Sequence, residues 1–278
     1  MARYQQLFTQ LSAKKEGAFI PFVVLGDPNR ALSAKILSTL VASGADALEV
    51  SIPFSDPLAD GPEIQGAVLR ALENGATIES AFSLLSEVRE ASPQLPIGLL
   101  MYTNLIYAYG VEAFYRRCKE IGIDSVLVAD LPLRESAPFN VIAKAQGIAP
   151  IFICPPDATD EAIAGIAEEG RGYTYLVSRA GVTGIDQAST SVDSDDLQHN
   201  IARLKAAKAA PIVQGFGIST PAQARYYLEQ GVAGVISGSA VTQIIRENLD
   251  NETLMLEKLA DFIRQMKQAT KEISSGDS

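Results

Sequence analysis

The run Leu48-Glu49-Val50-Ser51-Ile52-Pro53-Phe54-Ser55-Asp56-Pro57-Leu58-Ala59-Asp60-Gly61 sets one acidic residue inside an apolar strand and a second at the end of the loop that follows. From Ala47 to Ile52 the side chains alternate, so Leu48, Val50 and Ile52 share one face while Ala47, Glu49 and Ser51 share the other. A carboxylate among small uncharged neighbours is costly unless it is paired, protonated or used in chemistry. Two readings follow: a buried ion pair, or one half of an acid/base pair at the mouth of a barrel. The rest of the chain favours the second.

Outward from this segment, strand-like apolar runs alternate with helical patterns. The runs are Ala18 to Leu25, Ala47 to Ile52, Ile97 to Tyr102, Ser125 to Asp130, Pro150 to Cys154, Tyr173 to Ser178, Pro211 to Phe216 and Gly234 to Gly238. Each is bounded by turn residues, which indicates repeated βα units, and their near-continuous apolarity indicates parallel strands covered by helices. Eight units in 278 residues predict an α/β fold, a closed (β/α)8 TIM barrel. The expectation is a single domain over residues 1–278, with an extra amphipathic helix at Met1 to Phe8 and a disordered tail from Ser274 to Ser278.

Composition narrows the function. A net charge of −10 argues against sequence-independent nucleic-acid binding, which needs a basic footprint. No apolar run is long enough to span a bilayer, and Met1 to Phe8 lacks the apolar core of a signal peptide. Cys118 and Cys154 read as small buried hydrophobes, so the chain is expected in the cytoplasm. The lone histidine, His199, falls on a surface helix, which removes any His-based metal cluster. Every lysine lies in a helical or terminal segment, which disfavours a Schiff-base lysine on a barrel strand. Neither a G-x-S-x-G elbow nor a Walker A motif is present.

Two connections are long, Pro53 to Gly61 and Arg179 to about Ser194, and both follow strand C-termini, the catalytic face of a barrel. The second is rich in Gly, Ser, Thr and Asp, as a mobile lid would be, although Ser189 to Asp195 also reads as a surface insertion. Gly215-Phe216-Gly217-Ile218-Ser219 and Ser237-Gly238-Ser239-Ala240 follow strands seven and eight. Barrels commonly hold a phosphate there with backbone N–H groups and a short helix, here starting at Ser239. Gly184 in the lid supplies a further candidate donor. Phe22, Leu100, Leu127, Ile153 and Phe216 are expected to point inward, lining a pocket for a flat aromatic group or simply filling the barrel. What remains is carboxylate acid/base chemistry on a small phosphorylated substrate.

With these residues in view, the chain resembles the tryptophan synthase alpha subunit family over nearly its whole length. The likeness includes Glu49 to Gln65, Pro96 to Asn104, Ala149 to Pro156, Ser178 to Gly184 and Gln214 to Ser219. The resemblance implies a (β/α)8 lyase that splits indole-3-glycerol phosphate into indole and glyceraldehyde 3-phosphate, with Glu49 and Asp60 as catalytic carboxylates. It places Phe22, Leu100, Leu127, Tyr175, Thr183 and Phe216 at the substrate pocket. It puts Gly184, Gly217, Gly238 and Ser239 at the phosphate, and implies that Thr183 orients Asp60. The family usually has glycine where this chain has Ser51, and the segment Ile185 to Asp195 also departs from the family's lid.

The resemblance further implies no cofactor in this chain and docking on a beta subunit that carries pyridoxal phosphate, in an alpha2beta2 heterotetramer. Phe54, Pro57 and Leu58 give the loop an apolar load. Asp56, Pro57 and Asn104 are the expected contacts with the partner. Two other functions compete with the lyase: a phosphosugar isomerase or epimerase on the same scaffold, and a regulatory binding subunit with little activity of its own.

Overall fold

A computed structural model describes residues 2–177 and 194–271. Eight parallel strands close in chain order: β1 (Ala18–Val24), β2 (Leu48–Ser51), β3 (Ile97–Met101), β4 (Ser125–Val128), β5 (Ala149–Cys154), β6 (Thr174–Val177), β7 (Ile212–Gly215) and β8 (Gly234–Ser237). The last strand pairs with the first, so the sheet has no free edge.

The helices form the outer ring. Before β1 lies α1 (Ala2–Ala13), and α2 (Arg30–Ala42) follows it. The β2–β3 crossover holds α3 (Pro62–Glu73) and α4 (Ile78–Ala91); the next holds α5 (Thr103–Tyr109) and α6 (Val111–Ile121). The next four strands lead to α7 (Ala137–Ala145), α8 (Asp160–Glu169), α9 (Ser194–Ala206) and α10 (Pro221–Glu229). The chain ends with α11 (Ser239–Glu247) and α12 (Glu252–Lys271). Local chemistry fixes several starts: Thr77 and Thr220 form capping boxes, Asn29 caps α2, and Pro62 occupies the first turn of α3.

Strand alternation produces two apolar layers. Leu48, Val50 and Ile52 pack outward beneath the helices with Leu99, Val126, Leu176 and Val235. Ala47 points into the barrel with Phe22, Leu127, Ile151, Tyr175, Val213 and Ile236. The alternation that puts Leu48 outside therefore puts Glu49 inside.

All eight strands form, most of them shorter than the apolar runs. Ile52 and Tyr102 are buried beyond the last ladder position, so apolarity there records burial rather than strand pairing. The N-terminal helix extends past Phe8 to Ala13, because Tyr4, Phe8 and Leu11 make one buried stripe against the N-terminal end of the barrel. Beside Tyr4, Arg3 and Arg89 share the buried carboxylate of Asp124, which also accepts the Ile97 N–H. No helix among the described residues is long and apolar enough to cross a membrane. The Arg179–Ser194 connection, apart from Ser194 in the first turn of α9, and the tail from Ser274 lie outside the described residues.

Candidate active site

Parallel register places Glu49 between Phe22 on β1 and Gly98 on β3. A Cβ at Gly98 would lie 2.6 Å from Ser125 Oγ and 2.8 Å from Tyr4 OH, so glycine leaves the space beside Glu49 to those two hydroxyls. They meet each other at 3.1 Å. Glu49 is 2% exposed, and the Tyr173 hydroxyl donates to its Oε1 at 2.7 Å. Burial raises the carboxyl from an ordinary 4.5 to about 7, and the Tyr173 hydrogen bond restrains that rise. Glu49 is therefore divided between its two protonation states near neutral pH.

Asp60 reaches the same cavity from the end of the Pro53–Gly61 loop. Its backbone is pinned on both sides: Asp60 N–H donates to Pro57 O at 3.1 Å, and Gln65 Nε2 donates to Asp60 O at 2.7 Å. Burial raises its carboxyl to about 6, against a hydrogen bond from Tyr102. Tyr102 OH also accepts the Ala59 N–H at 3.2 Å, and the Phe54 ring packs on Tyr102 with centroids 5.4 Å apart. Phe54 thus props the residue that holds Asp60, whereas Leu58 remains 79% exposed.

Tyr175 is buried close enough to both carboxylates that each opposes its ionisation, secondary to burial itself. Its ring meets Phe216 edge-on at 6.1 Å. On the adjacent strand a Cβ at Gly215 would lie 2.1 Å from Tyr175 Cζ, so this glycine creates the ring's space. Phe216 adopts φ 67° and Gly217 φ 71°, turning the chain sharply at the cavity rim. Gly238 precedes the N-terminus of α11. A Cβ there would come within 3.1 Å of Phe22 Cδ1, so its smallness serves the Phe22 ring directly.

One cavity brings together Glu49, Asp60, Phe22, Leu100, Tyr175 and Phe216 with Gly217, Gly238 and Ser239. Ile64, Ile236, Ser219 and Ala240 line it as well. Leu127 and Ile153 belong to the inner apolar cluster but do not line this cavity. Asp56 and Asn104 are exposed and Pro57 is half-buried, all outside it. Thr183 and Gly184 lie outside the described residues. Among the described residues, no group of three or more His, Cys, Asp or Glu could hold a metal ion.

Sequence reasoning did not single out Tyr173 or Tyr102, and it read Gly215 only as part of a phosphate-holding glycine motif, not as the space for the Tyr175 ring. For Tyr173 a signal was present, because a period of two from Tyr175 points it inward. Tyr102 acts through a contact with the distant 53–60 loop, and no local pattern encodes that.

Two near-neutral carboxylates, an apolar slot and glycine turns at a helix N-terminus define (β/α)8 barrels equipped for acid/base chemistry on a small anionic molecule. Comparison with known proteins narrows that class. The family model described as tryptophan synthase alpha chain matches residues 8–271. The tryptophan synthase alpha chain of Serratia proteamaculans is 56% identical over 271 residues, covering 98% of this chain and 100% of that one. The subunit alpha structure from Legionella pneumophila superimposes with a TM-score of 0.86 at 29% identity, covering 98% and 99% of the two chains. A tryptophan synthase complex from Pyrococcus furiosus matches with a TM-score of 0.79 at 34% identity, covering 91% and 98%. The chain belongs to the tryptophan synthase alpha chain family.

Proposed function

We propose that this chain is a lyase of tryptophan biosynthesis that cleaves indole-3-glycerol phosphate to indole and glyceraldehyde 3-phosphate, with Glu49 and Asp60 as its catalytic carboxylates. The observation that carries this reading is the opening of both carboxylates, raised to about 7 and about 6, into one largely apolar cavity. Carbon–carbon cleavage requires indole C3 to be protonated, which makes the ring an electron sink, and the adjacent glycerol hydroxyl to be deprotonated. A group titrating near 7 donates and accepts protons with little penalty either way, which suits Glu49 to both transfers. Asp60 accepts the indole N–H and stabilises the positive charge that develops as C3 is protonated.

Phe22, Leu100, Tyr175 and Phe216 supply the apolar walls for the indole. Gly217, Gly238 and Ser239, at the α11 N-terminus, offer backbone N–H groups to the phosphate. Thr183 and Gly184 complete the pocket and the phosphate site in this reading. The chain works in the cytoplasm and uses no cofactor of its own. Its partner is a tryptophan synthase beta subunit bearing pyridoxal phosphate, in an alpha2beta2 complex. Asp56, Pro57 and Asn104 are the proposed contacts, and docking there would hold the Asp60 loop and favour the active state.

Indole release from indole-3-glycerol phosphate by the isolated chain, with and without beta subunit, tests both levels. Slow release accelerated by the partner is expected. No release under either condition refutes the lyase, and equal release under both refutes the coupling.

A further inference from the structure

Two helices flank the cavity: α3, which starts directly after Asp60 and Gly61, and α11, whose N-terminus forms the proposed phosphate cradle. Ile64 of α3 and Ala240 of α11 both line it. An ion pair ties these helices together. Arg246 Nη1, in the last turn of α11, donates to Glu63 Oε1, in the first turn of α3, at 2.6 Å. Asp60 is bound to that same first turn, because Gln65 Nε2 donates to Asp60 O at 2.7 Å. At the far end of α3, Arg70 grips both carboxylate oxygens of buried Asp27 at 2.8 and 2.9 Å. The helix is thus fastened at both ends, and Glu63–Arg246 is the fastening nearest Asp60.

Each charge also suits its own helix, since a carboxylate near an N-terminus and a guanidinium near a C-terminus complement the helix dipoles. That explains the charges but not their meeting. Glu63 is drawn in to 19% exposure with Oε2 buried and unpartnered, toward a cation that is itself 46% exposed. A pair this open to water adds little to stability, so its consequence is geometric. We infer that Glu63 and Arg246 are positioning residues, a brace that fixes the spacing between Asp60 and the phosphate-holding N-terminus of α11. This inference rests on the proposed function, in which one substrate reaches from Asp60 at its indole N–H to α11 at its phosphate. Neither residue lines the cavity, so both act through their helices. Ser239 and Arg246 stand about 10 Å apart along α11, a rigid length that carries the constraint from the ion pair to the cradle. With the spacing fixed, binding of the phosphate sets the indole against Asp60. With it loose, part of the same binding energy goes into moving the helices.

Glu63→Ala, Arg246→Ala and the double variant, measured alongside the parent, test the brace with two ligands. Indole-3-propanol phosphate carries both the indole and the phosphate and so spans both anchors, whereas inorganic phosphate occupies only one. Each single substitution is expected to weaken the analogue about fivefold while phosphate affinity stays within about twofold of the parent. The double variant should bind the analogue no worse than either single one, as expected for partners in one interaction. The thermal midpoint should fall by no more than about 4 °C. Analogue affinity within about twofold of the parent, equal weakening of both ligands, or losses that add in the double variant would overturn the brace. Indole release on the same proteins keeps the two levels apart: a parent that binds the analogue but releases no indole overturns the lyase, while the binding cycle still decides the brace.

Discussion

Replacing Glu49 by glutamine should stabilise the protein in a pH-dependent way. The folded carboxyl titrates at about 7 because burial disfavours its charge, whereas in the unfolded chain it titrates near 4.5. Between those values the folded state keeps a proton that the unfolded state has released, so stability falls as pH rises through this window. Below pH 4.5 the penalty is absent, and above pH 7 it is complete, at about 3 kcal/mol for the difference between the two pKa values. Glutamine keeps the shape and can still accept from Tyr173, but it carries no charge to desolvate. The advantage of Glu49→Gln over the parent should therefore grow by up to about 3 kcal/mol between pH 4.5 and 8, or roughly 6–12 °C in Tm. Asp60, raised to about 6, adds the same slope to both proteins and cancels in the difference. Thermal and urea denaturation of both proteins at four or more pH values would measure it. A difference that stays flat with pH would refute the burial argument for Glu49.

Three further substitutions probe the supports of the site. Tyr173→Phe removes the hydrogen bond that, among the described residues, favours ionised Glu49, so the pH limb of kcat/KM assigned to that group should move upward by about 1–2 units; an unmoved limb excludes the coupling. Gly215→Ala sets a methyl 2.1 Å from Tyr175 Cζ and should cost about 1–3 kcal/mol of stability along with most indole release. Parent-like values in both urea unfolding and turnover would mean that the ring relaxes freely. Gly238→Val pushes on the Phe22 ring beside the proposed phosphate cradle, so KM should rise more than kcat falls, and an unchanged KM would put the phosphate elsewhere.

The barrel was legible because each strand is an apolar run and each connection carries helix signals, and the structure closes those eight runs in order. Strand ends were less so, since Ile52 and Tyr102 are as buried as their paired neighbours while making no ladder. Glu49 drew notice because charge is costly on an alternating strand, a purely local signal. The hydroxyl that holds it was missed: Tyr173 lies 124 positions away in sequence and meets Glu49 only when the barrel closes. Gly238 was read as part of the phosphate site, and the motif gave no sign that a Cβ there would also meet Phe22, on the strand paired with β8.

The central claim is that Glu49 moves protons during carbon–carbon cleavage. Single-turnover indole release by Glu49→Gln, with substrate binding measured on the same protein, tests it most directly. The account predicts that kcat falls by about 10²–10⁴ while substrate affinity stays close to that of the parent. Turnover within about threefold of the parent would contradict it and remove Glu49 from the mechanism.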